Sequence, residues 1–222
     1  GKNDAFFHIS CDQFRNLRKF SGEIFDRTGR SIRKIKKTDL QVTEYSSDLA
    51  NDGYSYYYDC KGPSYPFTVK YEWEIKYKDG LIAFPVFAPQ TSFNQSVVNA
   101  TYRLYFSPDV PYRYKSLYTD IKPEKKNNGK EEYEEVTLKS LKALESVPYG
   151  PSLAQLIPRG YFDPIRFNFD GKEGSMESWE SYGFWQNELL KGRDQLPDDF
   201  INRLKEMTSH CKSDKEKVKV LY

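Results

Sequence analysis

Nucleophilic catalysis needs a thiol or hydroxyl with a base in reach and a third group to orient that base. The 222-residue sequence offers two histidines, His8 and His210, and three cysteines, Cys11, Cys60 and Cys211. His210 and Cys211 are adjacent at the end of a predicted helix, where neighbouring side chains point about 100° apart, so they do not face each other. A Cys–His pair brought together from distant segments is the remaining route to thiol chemistry. Asp59-Cys60-Lys61 sets a cysteine between charges. Gly62-Pro63 follows at once, which forbids the helix whose N-terminus would lower the thiol pKa. A strand-end cysteine is expected there instead. Three scattered cysteines suit neither a disulfide scaffold nor a zinc site. They are compatible with one Cys11–Cys60 bridge in an exported protein, or with three unpaired thiols.

Other constellations are weighed in the same way. Glu131, Glu132, Glu134 and Glu135 stand beside Asn127-Asn128-Gly129 in a stretch expected to be a charged hairpin tip, not the cleft that glycoside hydrolysis requires. Arg27, Arg30, Arg33, Lys34, Lys36 and Lys37 alternate with Ile32 and Ile35, as the wet face of an amphipathic hairpin would. Tyr54, Tyr56, Tyr57, Tyr58 and Tyr65 could offer rings to a sugar or peptide, but strand alternation sends at least half of them inward. Asn94-Gln95-Ser96 and Asn99-Ala100-Thr101 match glycosylation acceptors, a tripeptide common by chance. No phosphate loop or metal-ligand spacing is present, so no cofactor and no metal are expected.

The elements that must position these residues are mostly strands. Eighteen Tyr and fifteen Phe supply much of the apolar content, and aromatics favour pleated surfaces. A net charge of +2 gives no global drive toward nucleic acid. No apolar run approaches the roughly 18 residues that cross a bilayer. Phe67, Val69, Tyr71, Trp73, Ile75 and Tyr77 alternate with polar residues in strict period two, the mark of a half-buried antiparallel strand. Strands are also expected from Glu23 to Asp26, from Ser31 to Val42, over 54–59, over 97–106 and, last, over 165–169, with Pro148 to Pro164 running along the surface. Short strands at such spacing predict a mainly β fold, a two-sheet antiparallel β-sandwich.

After Gly174 the pattern becomes helical. Ser178 can cap a helix with Trp179, Tyr182, Trp185, Leu189 and Leu190 on one face. Pro197 opens a second with Phe200, Ile201, Leu204 and Met207 at helical spacing. Ser213-Asp214-Lys215-Glu216 forms a capping box that starts a third, which reaches Tyr222 with no stop signal. The polypeptide is therefore expected to continue. Gly1 in place of Met reads as the scar of a removed tag, which would leave any export signal out of view.

Four stretches in order carry a resemblance: residues 20–30 (Phe-Ser-Gly-Glu-Ile-Phe-Asp-Arg-Thr-Gly-Arg), residues 65–73 (Tyr-Pro-Phe-Thr-Val-Lys-Tyr-Glu-Trp), residues 178–185 (Ser-Trp-Glu-Ser-Tyr-Gly-Phe-Trp) and residues 214–222 (Asp-Lys-Glu-Lys-Val-Lys-Val-Leu-Tyr). Together they resemble the domain of unknown function that precedes transglutaminase-like domains in Bacteroidetes proteins. The resemblance implies a β-sandwich over 1–174 and a helical linker over 175–222, in an exported, periplasmic or envelope-associated protein. Its catalytic Cys, His and Asp would lie in a downstream domain, so no catalytic residue carries over to this chain. In such enzymes the nucleophilic cysteine sits in a Gly-Asp-Cys-Lys-type context; Tyr58 stands here in place of the glycine. The expected role is a non-catalytic accessory domain that packs on or gates its transglutaminase-like neighbour. Trp179, Tyr182, Trp185, Leu221 and Tyr222 are the candidate docking residues, since Trp and Tyr are favoured interface anchors. The alternative is an independent peptide- or glycan-binding module.

Overall fold

The computed structural model describes residues 5–44, 52–60, 64–107, 109–193 and 195–222. They divide into two compact units, one running to Glu177 and one from Ser178 to Tyr222.

The first unit is built of antiparallel strands, as the aromatic content and the alternation require. β1 (Phe7–Cys11), β2 (Arg15–Phe25), β3 (Ser31–Lys36), β4 (Gln41–Glu44), β5 (Tyr54–Tyr58) and β6 (Thr68–Tyr77) form two three-stranded sheets, ordered β1-β5-β4 and β3-β2-β6. Between them lies one core, with Phe7, Leu17, Phe20, Ile24, Ile35 and Tyr58 buried in it. β7 (Val97–Tyr105), β8 (Tyr112–Leu117), β9 (Glu124–Asn127), β10 (Glu132–Leu141) and β11 (Arg159–Pro164) make a sheet ordered β7-β10-β9 and a ladder of β11 with β8. A second core joins these, made of Phe87, Leu104, Val136 and Phe162. β12 (Arg166–Phe169) and β13 (Lys172–Ser175) close a hairpin. The mainly β, antiparallel fold with a helical C-terminal part is thus the observed one, with the strands of the described residues shared among five small sheets and two cores.

Several local expectations are corrected. The acids Glu132 to Glu135 belong to β10 rather than to a loop: Glu134 is buried, and Glu135 binds Arg103 from β7 and Lys126 from β9. The hairpin tip itself lies where Asn127-Asn128-Gly129 placed it, since Asn127 pairs with Glu132. Residues 159–164 leave the surface and form β11, whose Phe162 has no exposed area. β12 is not the last strand, because β13 follows it. In β3, Ile35 is buried and Ile32 is largely exposed, since an offset of three puts two residues on opposite faces of a strand.

The second unit holds α1 (Trp179–Leu190), α2 (Asp198–Thr208) and α3 (Asp214–Leu221). Ser178 caps α1 by accepting the Ser181 amide at 3.0 Å. Pro197 occupies the N-cap of α2, and Ser213 caps α3 by accepting from the Glu216 amide. The Glu216 carboxylate reaches back to the Lys212 amide at 2.6 Å, one residue before the position a capping box would use. Among the described residues, no helix is long and apolar enough to cross a membrane.

Candidate functional site

Cys60 is where thiol chemistry looked most tempting, and the fold buries it. The residue is buried, its thiol is hydrogen-bonded to the Tyr71 hydroxyl, and burial pushes the thiol pKa up. A thiol held protonated is a poor nucleophile. Tyr71 in turn donates to the Ala5 carbonyl at 2.7 Å, and its own ionisation is strongly opposed by the same burial. Lys61, Gly62 and Pro63 lie outside the described residues. On β1, Cys11 faces the core beside Phe7, while His8 points to the exposed side. All three cysteines are free. Cys11 pairs with Tyr54 at one end of β5, and Cys60 lies beyond Tyr58 at the other. Four strand residues span about 13 Å, well past the reach of a disulfide. His210 is exposed after α2 and Cys211 is half-buried.

The tyrosine run resolves by alternation. Tyr54, Tyr56 and Tyr58 face the first core, and Tyr57 turns to the other side, where its ring lies 6.2 Å from Phe6. Tyr65 is exposed.

The five candidate docking residues differ widely in exposure. Trp185 is buried, with the Tyr182 ring 5.5 Å away. Trp179 is 89% exposed, Leu221 about half exposed and Tyr222 fully so. The expected single face of α1 fails for a geometric reason. At 100° per residue, Trp179 and Leu190 fall roughly 100° from the line of Tyr182, Trp185 and Leu189. Phe184, Phe200, Met207 and Val218 are further exposed apolar side chains on the three helices.

The fold also assembles a group that sequence reasoning missed. β8 and β11 pair with Asp163 opposite Arg113, Tyr161 opposite Lys115 and Arg159 opposite Leu117. Alternate residues Gly160, Phe162 and Pro164 are buried, so these six side chains share the outer face of the ladder. The Arg159 guanidinium lies near two rings, 5.9 Å from the centroid of Tyr118 and 5.6 Å from that of Tyr161. Its Nε is buried and finds no acceptor. Burial raises the pKa of Asp163, against the pull of Arg113. Alternation of Arg113 with Lys115 and of Arg159 with Tyr161 was a usable signal. It was obscured because the second strand begins inside the proline-rich stretch.

The profile of a domain of unknown function with solved structures, DUF3857, matches residues 3–145. The chain belongs to this family. The DUF3857 match ends after β10, ahead of β11, whose Phe162 completes the second core. Among solved structures, the chain is similar to a protein from Parabacteroides distasonis ATCC 8503, provisionally described as a protease, with a TM-score of 0.68 at 13% identity. The likeness covers 98% of this chain and 41% of that one. It therefore extends the shared fold past the DUF3857 match into the helices, and the chain spans less than half of the length of its structural neighbour. No curated protein matches the chain.

Proposed function

We propose that this DUF3857 chain is a non-catalytic accessory domain of an exported, transglutaminase-like or protease-like protein, and that its helical unit docks on the catalytic domain. The observation that carries this reading is the likeness of nearly the whole chain to a minor part of a longer protein provisionally described as a protease. An antiparallel domain recurring as one segment of a larger chain behaves as a module beside another module. The exposed apolar residues of the second unit support the docking role. Trp179, Phe184, Leu190, Phe200, Val218 and Leu221 expose large apolar surface on three short helices, and α2 and α3 bury no residue. Helices of 8 to 12 residues draw little stability from propensity and need packing of an apolar face. In this reading the downstream domain supplies the packing and also the Cys, His and Asp of catalysis.

The test compares the 222-residue chain with its parent polypeptide in hydrolysis and transamidation of peptide amides. The chain alone is expected to be inactive and the parent active. Replacing Trp179, Leu190 and Val218 together by Ser in the parent is expected to speed proteolytic release of the catalytic domain. Amide turnover by the isolated chain would sink the proposal.

A further inference from the structure

We infer that the outer face of the β8–β11 ladder binds an extended acidic peptide, with Arg159 as its principal carboxylate seat. This rests on the first unit alone and stands apart from the docking role of the helices.

The cations on this face outnumber its acids. Arg113, Lys115 and Arg159 form no ion pair among the described residues, and Asp163 is the one acid of the six paired positions. The contrast with the face around Trp73 is plain. There a groove of about 600 Å³ is lined by Arg18, Lys19, Lys37, Glu72 and Glu74, but Arg18 and Lys19 are both held by Glu74, at 2.8 and 2.9 Å. That groove has already matched its charges.

Arg159 adds a second, independent sign. The guanidinium lies within cation–π reach of the Tyr118 and Tyr161 rings, and its planar fork suits a carboxylate, which it can grip with two parallel hydrogen bonds. Tyr118 is set in place by a left-handed backbone, φ 58°, a strained conformation for an aromatic residue that the surrounding fold must enforce.

The spacing selects the ligand. The three cations occupy three successive rows of one sheet face: Arg113, then Lys115, then Arg159 beside Leu117. Rows on one face repeat every two residues, about 6.8 Å. An extended peptide repeats its own side chains at the same interval, so acids at every second residue meet one cation each. Tyr161, on the middle row, and Tyr118 offer ring surface to the residues between.

The test is fluorescence anisotropy at low salt, using the whole chain and a labelled, end-blocked peptide in which Glu and Thr alternate. Saturable binding is expected, weakening as salt rises, with none for the peptide carrying Gln in place of Glu. Arg159→Gln should weaken binding about tenfold or more, as the loss of a charged bidentate contact does. Arg159→Lys should weaken it as well, since the charge remains but the fork is gone. The exposed substitution Lys115→Gln should cost a few-fold, and Asp163→Asn should tighten binding. No binding by the native chain overturns the inference. So does equal binding by an Arg159→Gln chain with native melting behaviour. Should that variant not fold, undiminished binding by both Arg159→Lys and Lys115→Gln overturns it equally. Displacement of the peptide by inorganic phosphate at equal concentration would overturn the ligand class.

Discussion

Phe162 shows how a single aromatic side chain holds the second core together. It has no exposed area, stacks on Tyr102 at 5.1 Å and meets Tyr114 at 4.7 Å, so it bridges the β11–β8 ladder to β7. Phe162→Ala should cost about 3–5 kcal/mol, read as a lower midpoint in urea unfolding with little change in slope. Burial pushes the Tyr102 hydroxyl next to it up to about 12, so this core keeps a neutral phenol through the physiological range. Glu135 is the opposite case. Hydrogen bonds from Lys126 and then Arg103 hold its carboxyl below the ordinary value of 4.5. A carboxylate with a depressed folded pKa contributes stability above its unfolded value and loses it as pH falls through the folded one. The native chain should therefore lose stability more steeply than Glu135→Gln below about pH 4.5, which thermal melts across pH 2–6 would measure. At this scale the sequence revealed residue types but not their company. Cys60 reads as a thiol between charges, and only the fold shows the burial that raises its pKa against the pull of the Tyr71 hydrogen bond.

Elements were legible wherever one face was apolar and the other wet. β6 follows its alternation through Val69 and Tyr71 but not beyond, since Trp73 and Tyr77 are exposed, and the caps of the three helices lie at or beside the residues that announced them. Strands with charge on both faces were hidden. β2 runs from Arg15, yet its first half carries Arg15, Arg18 and Lys19, and a register shift between Leu17 and Lys19 breaks the period. β10 was concealed by its glutamates, because ion pairs across the sheet are invisible along one chain. Joints between elements leave even less trace. Gly80, at φ +109°, bridges to Phe169, and a Cβ there would lie 1.8 Å from the Asn168 carbonyl oxygen. Gly80→Ala must open that bridge and separate the end of β6 from the β12–β13 hairpin. It should cost several kcal/mol, on the order of the larger single-residue effects, and raise amide exchange at Asp170, whose N–H donates to Asp79.

At the scale of the molecule, composition and periodicity announced the mainly β class and the helical ending, while the division into two cores was not legible. Both cores draw on the same aromatic and aliphatic vocabulary, and only long-range pairing, such as β11 returning to β8, separates them. The pairing that assembles the outer face of that ladder was hidden for the same reason, since its two strands are more than 40 residues apart in the chain. The pairing of β1 with β5 carries a last consequence. It holds the Cys11 and Cys60 sulfurs at opposite ends of a strand and inside packed walls, so oxidants meet neither while the domain is closed. Unfolded, the same two residues are free to find each other, and the bridge they would form is one the native register cannot accommodate. Refolding in air without a reducing agent is then a race between closure of the sheets and a cross-link that locks the chain out of its own fold.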